Sequence, residues 1–189
     1  PEEKAEFIDL ITKNSDLLLK LINDILDLSR IESGSMSFSY ENLDLSKLMG
    51  DIFHTHQLMM PEGVELKIRV PHEPLIIRSD HFRLTQGCTN FINNAVKFTA
   101  KGYIEIGYEL SADGKSILIS VKDTGKGIPD DKKEKVFERF QKLDEFAQGT
   151  GLGLAICQSI VHTFHGSISL ESEVGVGSEF IIILPVNND

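Results

Sequence analysis

Three glycines stand at every second position in Gln148-Gly149-Thr150-Gly151-Leu152-Gly153-Leu154-Ala155-Ile156, just ahead of an apolar helical run. Glycine spaced this way costs backbone entropy, so the fold must gain from bare main chain at this point. A helix entrance presents unpaired N–H groups and a partial positive charge, and their natural partner is an anion such as phosphate. Neither common phosphate loop fits. A Walker-type loop ends in Gly-Lys-Ser/Thr, whereas Gly153 is followed by Leu154, and the dinucleotide fingerprint needs its third glycine where Leu154 stands. Any phosphate here is held in a third way, which the rest of the chain has to define.

At 189 residues and 41% hydrophobic content, the chain can bury one substantial core. A formal charge of −10 argues against a nucleic-acid surface, which demands clustered Lys and Arg. It does not exclude a nucleotide, because a local loop and a metal ion offset the repulsion. The longest apolar runs are too short for a bilayer, so this segment is not expected to span one. The first residue is Pro1, with no Met and no signal-like stretch, which points to a piece of a longer protein. Cys88 and Cys157 lie far apart without metal-ligand spacing and read as core thiols in a reducing compartment.

Residues 1–33 read as one long helix. Phe7, Ile11, Asn14, Leu18, Leu21, Ile25 and Leu28 follow a 4-3-4-3 spacing, widened by Leu10, Leu17 and Ile22 toward a four-helix-bundle stripe. This helix either folds back on the following domain or forms half of a hairpin whose other half lies elsewhere, and the regular seam favours the hairpin. After Ser33-Gly34-Ser35, a helix capped by Asp44 or Ser46 runs to about Met60, and a strand covers 64–70. Asp80 opens a helix to about Thr99. Strands at 103–110 and 116–123 flank Ala112-Asp113-Gly114, a hairpin signal. A short helix near 131–137, a helix at 152–164 and strands at 167–173 and 178–184 complete the reading. Helices and strands mix without strict alternation, which indicates an α+β two-layer fold.

Three groups of residues have chemistry to offer a shared ligand. Ile117, Ile119, Val121 and Asp123 share the apolar face of one strand, so Asp123 ends a buried row where an unpartnered carboxylate is expensive. It either caps its own turn, Thr124-Gly125-Lys126-Gly127-Ile128, or accepts from an outside donor such as the amine of adenine. In the helix from Asp80, Asn90, Asn94 and Lys97 form a polar stripe beside the core stripe Leu84, Cys88, Phe91 and Ala95. Three asparagines within five residues (90, 93 and 94) cost helix stability that core packing does not repay. An amide oxygen suits Mg²⁺, and a lysine one turn on suits a terminal phosphate. Finally, Phe137 and Phe140 are expected to share a helical face and anchor a polar, glycine-ended lid carrying Arg139 and Lys142, either of which could reach phosphate.

In this order, Asn90–Ala95 (NFINNA), Asp123–Ile128 (DTGKGI), Phe137–Phe140 (FERF), Gly149–Leu154 (GTGLGL) and Gly175–Phe180 (GVGSEF) resemble the catalytic ATP-binding domain of sensor histidine kinases, within the gyrase, Hsp90, histidine kinase and MutL superfamily. Residues 1–33, ending LINDILDLSRIESG, resemble the second helix of that family's dimerisation and histidine phosphotransfer hairpin. The resemblance implies a division at 33/34 and, over 34–189, a two-layer α/β sandwich of the Bergerat ATP-binding type, with a mixed sheet on about three helices. It implies ATP and Mg²⁺ as ligands, with Asp123 on the adenine amine, Asn94 on the metal, and Asn90 and Lys97 at the phosphates. Gly125, Gly127 and Ile128 would shape the adenine floor, with Phe98 near the purine and Ser178 on the adenine side as a hydroxyl donor. Gly149, Thr150, Gly151, Leu152, Gly153 and Leu154 would cover the triphosphate, joined by Lys142 from the lid.

Members that hydrolyse ATP resemble one another in carrying a Glu as general base four residues before the metal Asn. Here that position is Asn90, which takes no proton, so phosphoryl donation is favoured over the alternative of a chaperone- or topoisomerase-like ATPase module. The family's acceptor histidine precedes an acidic residue and Thr-Pro, a context absent from His54, His56, His72, His81, His162 and His165. The acceptor is therefore expected outside these residues. The resemblance further implies a cytoplasmic location, a response regulator or receiver domain as partner, and a homodimer through the long helix.

Overall fold

The computed structural model of the chain describes residues 2–141 and 149–186. In order the elements are α1 (Glu2–Glu32), β1 (Glu41–Asp44), α2 (Leu45–Gln57), β2 (Val64–Arg69), β3 (Ile76–Ser79), α3 (His81–Phe98), β4 (Gly102–Leu110), β5 (Ser116–Asp123), α4 (Asp130–Lys133), α5 (Gly153–Thr163), β6 (Ser167–Glu173) and β7 (Gly177–Pro185). A single 3₁₀ turn, Lys135–Phe137, follows α4. The five-stranded sheet runs β2-β4-β5-β7-β6, with β2 parallel to β4 and the other pairs antiparallel. It is the mixed sheet of the expected α+β sandwich, backed by α2, α3 and α5.

Period-two alternation aligns across the strands. Ile106, Val121 and Phe180 form one cross-strand row, Tyr108, Ile119 and Ile182 the next, all buried and facing the helices. The row beyond them is Ile104, Asp123 and Ser178, so the apolar ladder ends in a carboxylate and a hydroxyl at one edge of the core. Against this face α3 lays Leu84, Cys88, Phe91, Ile92 and Ala95, and α5 lays Ile156, Cys157, Ile160 and Val161. Stacking of Phe91 on Phe180 (ring centroids 5.1 Å apart) joins helix to sheet beside the Asp123 row.

Asp80 caps α3 by accepting the Arg83 N–H at 2.9 Å and the Ser39 N–H at 2.7 Å, which also pins the segment leading to β1. Asp44, one of the two expected caps of α2, accepts from Ser46 and Lys47. The pair β1 and β3 forms a separate two-stranded sheet that alternation does not reveal, its strands being only four residues each.

The long helix folds back on the following domain at its C-terminal end and leaves most of its seam exposed. Phe7, Ile11, Leu18 and Ile25 are exposed, at 66%, 63%, 57% and 46%. Asn14, the polar member of the seam, donates to Leu10 O within the helix. Toward the C-terminal end Leu28 is buried in the main core, and α1 packs on α5. Asp27 meets Arg83 and Gln86 of α3, and Glu32 is ion-paired with Arg139. No described helix is long and apolar enough to cross a membrane.

Candidate functional site

The polar end of the core opens into a cavity of about 380 Å³. Sheet, helix and glycine loop all reach it: Asp123, Gly127, Ile128 and Ser178 from one side, Asn90, Asn94, Lys97 and Phe98 from α3, and Gly149, Thr150, Gly151, Gly153 and Leu154 from the other. Two expected residues lie behind the wall. Gly125 sits beneath it, where a β-carbon would come within 2.5 Å of Phe98 O and 2.8 Å of Asp123 Oδ1. Leu152 is fully buried at the entrance of α5, in the core rather than on the cavity. Lys142 lies outside the described residues.

Asp123 is 6% exposed. Burial pushes its carboxyl above the ordinary value of 3.8, opposed by the N–H groups of Gly125 and Ser178, which favour the charged form. The cap reading of this residue holds. Oδ1 caps its own turn, accepting the Gly125 N–H at 2.8 Å, while the side chain also lines the cavity. A carboxylate has about four acceptor positions, so a cap leaves capacity for an outside donor.

Ser178 lies directly across from Asp123 and lines the cavity with it. Ser172 Oγ accepts the Ile128 N–H at 2.8 Å and lies 2.9 Å from Gly177 O, to which it can donate. It also lies 2.9 Å from Ser178 Oγ, a contact in which either hydroxyl can be the donor.

The opposite end is built by close approach of α3 to the glycine loop. A β-carbon at Gly149 would stand 3.4 Å from Lys97 Nζ, and one at Gly153 would stand 3.4 Å from the Asn90 amide. Asn90 Nδ2 donates to Gly153 O at 3.3 Å, holding the first turn of α5 against α3. Below it, the Cys157 thiol is fully buried and pushed up to about 12, as is that of Cys88. Both are core thiols, as anticipated. Lys97 and Lys126 flank the Phe98 ring, with Nζ at 5.1 and 4.7 Å from its centroid.

The lid anchor differs from the expected helical face. The 3₁₀ turn ends at Phe137, which packs edge-on to Phe180, and Glu138 turns extended. Phe140 then takes a positive φ of 61° and is 63% exposed, its N–H donating to Gly151 O. Arg139, one of the two residues that could reach phosphate, is ion-paired with Glu32.

Several wall residues were not anticipated: Lys20 from α1, Asn93, Asp131 and Lys132 of α4, and Lys135 of the 3₁₀ turn after it. The charged run Asp130-Asp131-Lys132-Lys133-Glu134-Lys135 after the glycine turn is a readable signal for the last three. For Lys20 the helical spacing gives none, since its reach into the cavity depends on where α1 docks. Among the described residues, four lysines against two aspartates line the cavity, the opposite sign to that of the acidic chain. Such inversion focuses an anion.

Residues 79–188 match the model of histidine kinase-, DNA gyrase B- and HSP90-like ATPases, and residues 1–34 match the His Kinase A (phospho-acceptor) domain. The chain belongs to this ATPase family. Its organisation is that of a sensor histidine kinase ATP-binding domain preceded by part of a phospho-acceptor domain. Hybrid signal transduction histidine kinase L of Dictyostelium discoideum is 37% identical over 97% of this chain and 11% of its own length. Sensor histidine kinase RcsC of Escherichia coli K12 is 34% identical over 98% of this chain and 20% of its own. The chain thus spans a tenth to a fifth of these relatives. Full-length ShkA, crystallised in complex with AMPPNP, superposes with a TM-score of 0.85 at 31% identity, covering 97% of this chain and 39% of that one. The mixed sheet with its long N-terminal helix is therefore a histidine kinase fold, and the cavity sits where its strand and loop motifs converge.

Proposed function

We propose that the cavity binds ATP with Mg²⁺ and that the chain serves, within a two-component sensor histidine kinase, to donate the γ-phosphoryl group to a histidine. The observation that carries this reading is the polarity of the cavity. A buried carboxylate, Asp123, with the Ser178 hydroxyl beside it, stands at one end, while the glycine loop with Asn90, Asn94 and Lys97 stands at another. Adenine offers an amine to the first and a triphosphate offers charge to the second. Gly127, and Gly125 from below, keep the floor low enough for a flat base, and Phe98 with Ile128 gives it apolar contact.

The residues fit a magnesium ion that arrives with nucleotide. No cluster of three His, Cys, Asp or Glu among the described residues forms a metal cage, so the protein's contribution would be the neutral amide oxygen of Asn94. Held there, a magnesium ion would supply charge neutralisation for phosphoryl transfer. Lys97 would hold a terminal phosphate as a point charge, and the N–H groups of Gly149–Leu154 would cover the chain of phosphates. Asn90 carries no proton-accepting group, which supports delivery to a histidine over activation of water.

None of the six histidines suits the acceptor role, and none falls in the matched phospho-acceptor segment, residues 1–34. His56 is buried, with Nδ1 bonded to Ile52 O at 2.8 Å. The exposed seam of α1 supports pairing of two copies, a receiver domain or response regulator is the partner in signalling, and the setting is cytoplasmic. The division between the two functional parts falls at 33/34, where Ser33 and Gly34 end α1.

Titrating the chain with ATP and Mg²⁺ while following its melting temperature tests the reading. A rise that is lost in Asp123→Asn, and that needs Mg²⁺ only while Asn94 is present, is the expected result. No rise at saturating nucleotide would refute it. With ATP bound, a separate helical hairpin bearing an acceptor histidine should gain acid-labile phosphate, while this chain gains none.

A further inference from the structure

The cavity wall is not made by the ATP-binding domain alone. Lys20 belongs to α1, within the segment matched to the phospho-acceptor domain, yet it lines the cavity with Asn90, Asn94 and Lys97. Its position is fixed one turn further along the helix. Asp24, at i+4 on the same face, is only 8% exposed and accepts the Thr150 hydroxyl at 2.7 Å. Thr150 lies between Gly149, whose β-carbon position is beside Lys97 Nζ, and Gly151. The tie therefore holds this face of α1 against the end of the cavity assigned to phosphate. A second sign of proximity is electrostatic: the Cys157 thiol, at the first turns of α5, feels the charges of both Asp24 and Lys20.

We propose that Lys20 is a nucleotide-contacting residue, its ammonium pairing with the terminal phosphates when α1 is docked. This rests on the ATP reading of the cavity. Lys20 is itself exposed and contributes nothing to the core, so its side chain is available to turn toward an anion. The carboxylate nearest along the helix toward the loop, Asp24, already accepts from Thr150 and is held in that bond. A lysine suits the role because its compact charge meets a phosphate from many directions, without the fixed fork of arginine. The consequence is a linkage. If triphosphate gains a contact only when α1 is docked, it stabilises the docked helix by the same factor that docking tightens binding. The helix that bears the dimer seam would then sense whether the cavity holds ATP or a shorter nucleotide.

Calorimetric titration of the whole chain with Mg²⁺ and each of adenosine, ADP and a non-hydrolysable ATP analogue tests this. Lys20→Ala should weaken the ATP analogue about three- to tenfold and ADP less, with adenosine unchanged, in keeping with one charge-assisted contact. Lys20→Glu should weaken the analogue further, and Lys20→Arg should restore most of the affinity. Equal loss for adenosine, or unchanged affinity for the analogue in both Lys20→Ala and Lys20→Glu, overturns the proposal. Failure of the unaltered chain to bind any of the three would refute the nucleotide reading itself, and this inference with it. Loss with Asp123→Asn alone leaves the nucleotide reading standing without Lys20.

Discussion

Asp123 and Ser178 face each other as register partners on β5 and β7, both buried, where the apolar rows of the sheet run out. Burial raises the Asp123 carboxyl, so the folded chain holds that proton more tightly than the unfolded chain does. Stability from this group is thus present at low pH and is lost as pH rises through its folded value. Asp123→Asn removes that cost, and the ligand-free variant should melt no lower than the parent at neutral pH. Nucleotide binding should fall by about a hundredfold, the scale of leaving a buried amine without its acceptor. In the parent, acidification toward the raised value should weaken binding by protonating the acceptor, starting above the pH at which an ordinary Asp titrates. Titrations of both proteins from neutral to acid pH check each part.

Gly127 supports the floor of the same pocket at a φ of 70°, and a β-carbon there would lie 2.0 Å from Glu173 O. Gly175 has a φ of 82° but open space around it. Alanine at Gly175 should therefore cost about 1 kcal/mol, for left-handed backbone alone. Alanine at Gly127 should cost about 3 kcal/mol, because backbone must move as well. Denaturant melts of the two variants separate strain from collision.

Much of this was legible because buried strands and a capped helix write periodic signals. The strands 116–123 and 167–173 and the Asp80 cap needed no tertiary information, and neither did the stripe Asn90, Asn94 and Lys97. What escaped depended on docking. Lys20 reaches the cavity, and Arg139 meets Glu32, only through the placement of α1, which its seam spacing does not encode. Phe140 departs from helix periodicity for a local reason: the helical turn ends at Phe137, and Glu138 turns extended. The surroundings of Ser178 depend on Ser172, a serine on a neighbouring strand whose hydroxyl lies 2.9 Å from it.

Cys88 and Cys157 are fully buried, with thiols pushed up to about 12. Desolvation disfavours the thiolate, and the thiolate is the reactive form. In the native chain at pH 8, iodoacetamide should leave both unmodified over hours, whereas both should react within minutes in denaturant. Because the folded thiols titrate above the unfolded ones, stability should also decline as pH climbs from about 9 toward 12. Mass spectrometry of alkylated protein and melts across alkaline pH provide the checks.

The docking of α1 turns on Arg83, whose guanidinium reaches both Asp27 oxygens at 3.3 Å and Gln86 Oε1 at 2.9 Å, while Gln86 Nε2 donates to Asp27 at 2.8 Å. The ion pair is largely enclosed, with side-chain exposures of 11% and 16%. Breaking one side of such a pair is costly because the other charge stays desolvated, whereas removing both is much milder. Arg83→Met should cost about 2–3 kcal/mol, less than a fully buried pair, because Gln86 still serves Asp27. Pairing it with Asp27→Leu should recover most of that loss, and the recovery measures the coupling between helix and domain. Hydrogen exchange over residues 24–32 locates the effect. Faster exchange there with an unchanged β5 core would identify Arg83 as a docking residue, and uniform acceleration would make it a residue of the global core.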